Sequence, residues 1–198
     1  RTFVIGAWLA AVLGGLGALW AHASRPGDAG EAPGRWPAAC PIPRRAGAAT
    51  LVVFAHPRCP CTRASLAELG WVLARARDRV EATVVFIDPA GSSPRRSENW
   101  RLARALPAVS VRLDSGIARD FGARASGQTL VYDPRGTLVF SGGITGARGH
   151  EGDNPGRRAA LAAATGAGGG PARTAVFGCS LHDPPPDARK SWIPAWDL

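Results

Sequence analysis

Leu51-Val52-Val53-Phe54-Ala55-His56-Pro57-Arg58-Cys59-Pro60-Cys61-Thr62-Arg63-Ala64-Ser65-Leu66 changes character twice in a short span. It opens as a continuous apolar, β-branched run, the pattern of a strand buried on both faces. The run stops at His56-Pro57, and two cysteines flank one proline. From Pro60 onward Leu66, Leu69, Val72 (or Leu73) and Ala76 recur at helical spacing, so a helix lies with one face on a sheet. Cys59 and Cys61 therefore fall between a strand end and a helix start. Unpaired N–H groups and the helix dipole there favour a thiolate, and Arg58, Arg63 and His56 add positive charge nearby. A thiolate is the form of cysteine that attacks disulfides and binds metals.

The elements that follow extend one α/β pattern. Residues 80–87 read as a second buried strand, so strand, helix and strand imply a parallel right-handed crossover. A short helix is expected over 97–105, with Ser97 as cap and Pro107 beyond its end. Residues 109–113 read as a short strand and 115–121 as a short helix. Thr129 to Tyr132 and Thr137 to Phe140 flank Asp133-Pro134-Arg135-Gly136, a strong hairpin signal. A glycine-rich loop over 142–156 holds Arg148, His150, Glu151 and Asp153, and an Ala-rich helix follows over 155–165. Residues 174–177 read as a last short strand leading to Cys179. The Pro-rich end beyond His182, with Trp192 and Trp196, reads as irregular.

Toward the N-terminus, residues 2–21 carry no charge and approach the ~20 residues a helix needs to span a bilayer. Ala21-His22-Ala23 also fits a signal-peptidase site. The expected organisation is a signal-anchor or signal peptide over 1–23 and a Pro/Gly/Ala linker over 24–47. A folded domain over 48–165 and a C-terminal extension over 166–198 follow. The domain would then face the periplasm, anchored to the inner membrane or released by cleavage after Ala23.

Lys+Arg 24 against Asp+Glu 15 gives +9. Lys190 is the only lysine, and the arginines are scattered rather than interleaved with aromatic residues, so no nucleic-acid partner is expected. Cys40, Cys59, Cys61 and Cys179 form an even set, which suits an oxidising compartment. Of three pairings, Cys59–Cys61 with Cys40–Cys179 is preferred. The second bond would be a structural staple between linker and extension. The alternative has Cys179 relaying electrons from Cys61.

The order of elements, with Phe54-x-His56-Pro57-x-Cys59-Pro60-Cys61, resembles the thioredoxin superfamily, in particular its exported, membrane-anchored TlpA/ResA-like branch. Pro107 to Leu113, Asp114-Ser115-Gly116, Phe121-Gly122-Ala123 and the hairpin match that family's central strand, following helix and closing hairpin in order. Cys-Pro-Cys-Thr-Arg-Ala-Ser-Leu (59–66), Gly143-Ile144-Thr145 with Arg148-Gly149-His150, and Val176-Phe177-Gly178-Cys179 look like the poorly characterised bacterial RedB-type proteins. The resemblance implies a mixed sheet flanked by helices and a redox-active cysteine pair, supported by His56, Pro57, Arg58, Pro60, Gln128 and Thr129. Two departures stand out. One residue, not two, separates the cysteines, and Gln128 precedes Thr129 where the family carries a cis-proline.

Three functions compete. Thiol–disulfide exchange uses Cys59 as the more exposed nucleophile and Cys61 as resolving thiol, needs no cofactor, and acts on protein thiols and disulfides. Copper binding suits two soft thiolates, with Cys59, Cys61 and His150 as the proposed ligands and His56 or Cys179 as alternatives to the histidine. A binding module that has lost its chemistry would tolerate Cys59→Ser.

Overall fold

The structure is a computed structural model that describes residues 2–89, 93–168 and 173–182. α1 (Thr2–Ala23) is a 22-residue apolar helix with no buried residue, long and apolar enough to cross a membrane. The α/β region then runs β1 (Ala49–Ala55), α2 (Pro60–Ala76), β2 (Val80–Phe86), α3 (Glu98–Ala105), β3 (Val109–Leu113), α4 (Ser115–Asp120), β4 (Thr129–Tyr132), β5 (Leu138–Gly142) and α5 (Pro155–Thr165).

The strands form one sheet in the order β3-β2-β1-β4-β5. β1 pairs parallel with β2, Val53 opposite Val84, and antiparallel with β4, Val53 opposite Thr129. β2 and β3 are parallel, and β4 and β5 close an antiparallel hairpin. This is the thioredoxin-like arrangement, a mixed sheet flanked by helices. The strand over 109–113, expected at the centre, lies instead at the sheet edge. Its partly exposed positions fit a strand with one neighbour.

Every β1 residue is buried because the sheet is covered on both faces. Leu51, Val53 and Ala55 point to the face covered by α2 and α5, where Leu66, Leu69, Val72 and Ala160 complete a core. Val52 and Phe54 point to the opposite face with Val85, Ile117, Phe121, Leu130 and Tyr132.

Part of that second face is covered by residues 24–47, whose composition reads as a semi-extended linker. They form no helix or strand of their own, yet they are packed. Trp36 sets its ring edge-on to Phe121 and Tyr132, both with centroids 5.1 Å away. Ile42 is buried, and the Tyr132 hydroxyl donates to the Pro33 carbonyl at 2.8 Å. Aromatic anchoring explains the difference, because a large ring packed on the core fixes a stretch that has no periodic pattern of its own.

Helix ends follow their local chemistry. Ser97, Asp114 and Asn154 cap α3, α4 and α5 by accepting N–H bonds from Trp100, from Gly116 and Ile117, and from Arg157. Gly166 ends α5 at φ 68°, a left-handed position that suits glycine. The expected strand over 174–177 does not form. Arg173 and Ser180 instead make single bridges, to Ser141 and Ala125. Trp192 and Trp196 lie outside the described residues.

Candidate active site

Phe54 N–H and C=O pair with the backbone of Gln128 and Gly127, which ties the end of β1 to the loop before β4. The chain then turns through His56-Pro57-Arg58 and enters α2 with Cys59 as N-cap and Pro60 in its first turn. Proline is suited to that place, where no intrahelical N–H bond is lost. The turn is braced from α3: buried Asn99 donates to the carbonyls of Pro57 (3.1 Å) and Cys59 (2.9 Å). The His56 imidazole accepts from Arg58 N–H at 3.1 Å. Arg58 and Pro60 are exposed, and Arg63 meets Glu98 at 3.5 Å on the surface.

Cys59 is not the exposed thiol expected from the sequence. It is 1% exposed and Cys61 7%, while Cys179 is exposed. The cover over Cys59 comes from the C-terminal extension. Ser126 N–H donates to the Cys179 carbonyl (2.8 Å) and Leu181 N–H to the Arg124 carbonyl (2.8 Å), around the Ala125–Ser180 bridge. This short antiparallel pairing sets the Cys179 sulfur 3.1 Å from the Cys59 sulfur.

The structure therefore brings Cys59, Cys61 and Cys179 together and does not bring Cys40 to Cys179. Cys40 packs with the Trp36 and Ile42 side of the second core. All four cysteines are free thiols in this structure, and the sulfur that Cys179 meets is that of Cys59. The pairing of residues 124–126 with 179–181 draws Cys179 to the active-site turn.

The electrostatics separate the three thiols. Burial works against ionisation of Cys59. It is outweighed by the N–H and S–H of Cys179, the N–H of Cys61 and the Ser126 hydroxyl, which together bring its pKa below the ordinary cysteine value. Cys61 is pushed up by burial and by the neighbouring Cys59 charge. Cys179 is pushed up to about 12, first by loss of water around its thiol and then by donating to and facing the Cys59 thiolate. Of the three thiols, Cys59 is the one whose ionisation the site favours.

Ser126 was visible in the sequence only as a neighbour of the missing proline. It is fully buried, accepts from His56 N–H at 3.0 Å and lies 2.9 Å from the Thr62 hydroxyl. Gln128 occupies the position of the family's proline with no cis peptide. Its side chain donates to Gly30 (3.1 Å) and accepts from Arg124 N–H (3.2 Å), so it fastens residues 24–47 to the loop before β4. Thr129 is buried and its hydroxyl donates to the Gly127 carbonyl. Gly127 has φ 89°, and a Cβ there would meet Ser65 Oγ at 2.7 Å, so this turn requires glycine.

His150 is exposed in the loop after β5, and among the described residues no three His, Cys, Asp or Glu side chains gather as a metal-holding group. The proposed Cys59, Cys61 and His150 ligand set is therefore not assembled. Asp153 of the same loop pairs with Arg157 and Arg158. Arg157 also meets buried Glu68 at 2.9 Å and stacks over Trp71.

No model of a known protein family matches the chain, and no curated protein matches it. Among solved structures, it is similar to an uncharacterized conserved protein from Geobacillus kaustophilus. Identity is 23%, TM-score 0.56, over 70% of this chain and 79% of that one. A hypothetical protein from Sinorhizobium meliloti has 22% identity and TM-score 0.55, over 68% and 79%. Copper-bound ScoI from Bradyrhizobium japonicum has 20% identity and TM-score 0.39, over 52% and 80%. With the sheet order β3-β2-β1-β4-β5 and a two-cysteine turn between β1 and α2, the chain has a thioredoxin-like fold.

Proposed function

We propose that this chain is an exported, membrane-anchored thiol–disulfide oxidoreductase whose nucleophile is Cys59. The observation that carries the reading is the setting of the Cys59 sulfur. It sits at the N-cap of α2, with the Cys179 sulfur 3.1 Å away and the Ser126 hydroxyl stabilising its ionised form. A sulfur so placed ionises more readily than an ordinary cysteine and has a second thiol in contact, the arrangement that exchange through a mixed disulfide uses. Protein thiols and disulfides are the substrate class. The fully exposed α1 supports an anchor, since an apolar helix of that length needs a bilayer or removal.

Two soft thiolates, Cys59 and Cys61, also support copper binding as a second reading. Of the third ligands expected, His150 does not join the pair in a metal-holding group among the described residues, whereas the Cys179 sulfur stands 3.1 Å from Cys59. A redox-inactive binding module is the third reading, and a thiol whose ionisation the site favours, in contact with a second thiol, argues against it.

The test is a titration of the full chain in detergent across defined thiol/disulfide buffers, with alkylation and peptide mass reporting each cysteine. The oxidoreductase reading expects Cys59 to enter and leave a disulfide reversibly at a mid-range potential. It fails if Cys59 never forms a disulfide. Protection of Cys59 and Cys61 by copper(I) would then favour metal handling.

A further inference from the structure

We propose that Cys179, not Cys61, is the thiol that resolves the Cys59 mixed disulfide. It is delivered by a strap, residues 173–182, that lies beside the active-site turn as an extended peptide. The inference deepens the oxidoreductase reading and rests on it.

The strap is held along its length. Thr174 bonds to Ser141 and Gly143, and the Val176 carbonyl accepts from Gly27 N–H at 2.7 Å. Arg148 donates to the Gly178 carbonyl (3.0 Å). Val176 and Leu181 are buried, which anchors both ends. Between them Gly178-Cys179-Ser180-Leu181 runs antiparallel to Arg124-Ala125-Ser126. Gly178 is demanded by this contact, since a Cβ there would lie 1.8 Å from the Ser126 carbonyl oxygen.

Geometry favours Cys179 over Cys61. Its sulfur is already within about 1 Å of bonding distance, given 3.1 Å in the structure and an S–S bond near 2.05 Å. A Cys59–Cys61 bond must instead close a small ring across Pro60, with Cys61 fixed in the first turn of α2. Cys59 is 1% exposed, so substrate reaches its sulfur only when the cover over the turn shifts. A groove of about 520 Å³ is lined by Cys59 with Arg58, Arg63, Glu98 and Asn99, and Cys179 takes no part in it.

The chemistry balances in two exchanges. The Cys59 thiolate attacks one sulfur of the substrate disulfide, whose S–S bond breaks and whose other sulfur leaves as a thiolate. Cys179, losing its proton to solvent or to that thiolate, attacks the Cys59 sulfur. The Cys59–Cys179 bond forms and the second substrate thiolate departs. The substrate gains two electrons and two protons, and a dithiol protein donor later returns the pair to thiols. Timing follows from charge. Burial is the first cause of the raised Cys179 pKa and the Cys59 thiolate the next, and once Cys59 is in a mixed disulfide the second of these is gone.

The test is a pulse of oxidised glutathione on the reduced full chain in detergent, quenched and mapped by peptide mass. The wild type is expected to pass from a Cys59–glutathione adduct to a Cys59–Cys179 crosslink, and Cys61→Ser to form the same crosslink. In Cys179→Ser the adduct should survive roughly tenfold longer or more, because a thiol held in contact is replaced by thiols in solution. Gly178→Ala keeps every cysteine but displaces the strap, and should lose the crosslink. A Cys59–Cys61 crosslink in the wild type, with the adduct lost equally fast in Cys179→Ser, would overturn the proposal and leave the oxidoreductase reading standing. Absence of a Cys59 adduct in every variant would overturn both.

Discussion

Ser126→Ala removes one hydroxyl from beneath the Cys59 sulfur and leaves the strap backbone intact. The Ser126 oxygen accepts from His56 N–H and meets the Thr62 hydroxyl, and its side chain, in a region closed to water, lowers the Cys59 pKa. A hydrogen bond to a charged group contributes about 1.5–3 kcal/mol. Sulfur is a soft, long acceptor, so the lower end applies, about one pKa unit upward. Below the native pKa, a one-unit rise lowers the thiolate fraction tenfold while raising nucleophilicity by a Brønsted factor near 0.4–0.5, so exchange slows by about threefold. Above both pKa values the fraction is saturated and the variant becomes faster by about threefold. The assay is the rate of glutathione adduct formation on Cys59 across pH. Wild-type and variant profiles should cross. A midpoint that stays put or falls would refute the account of how Cys59 is ionised.

Other outcomes follow from the same contacts. Asn99→Ala strips the brace from the Pro57 and Cys59 carbonyls and should destabilise the fold by about 1–3 kcal/mol in denaturant titration, while slowing adduct formation on Cys59. Trp36→Ala deletes two edge-on ring contacts and should cost about 1–3 kcal/mol; no change would mean that residues 24–47 are a loose tether. Leu69→Ala, at a fully buried position between α2 and the sheet, should cost about 2–5 kcal/mol by the same titration.

The fold was legible where periodicity carried it. The apolar run of β1, the 3.6-residue stripe of α2 and the Asp133–Gly136 turn each report their own local structure. The edge position of β3 was not legible, because local pattern gives a strand but not its neighbours. Trp36 lay in a stretch whose prolines and glycines hide any period, and its packing depends on Phe121 and Tyr132, far along the chain. At the site, Cys59 and the helix start could be read from Cys-Pro-Cys, but its burial could not. That burial rests on a bridge and two hydrogen bonds between residues 124–126 and 179–181, too few to leave a repeating pattern. The same pairing explains why Cys179 sits with Cys59 rather than Cys40, and why Ser126, an ordinary loop serine by sequence, lies under the nucleophile.

The most direct test of the central claim is adduct mapping in a Cys61→Ser, Cys179→Ser double variant, where no neighbouring thiol can resolve what forms. The reduced full chain is exposed to oxidised glutathione, and each remaining cysteine is assigned by peptide mass. The account predicts one stable adduct, on Cys59, with Cys40 unmodified on the same timescale. An unmodified Cys59, or an adduct forming faster on Cys40, would contradict it.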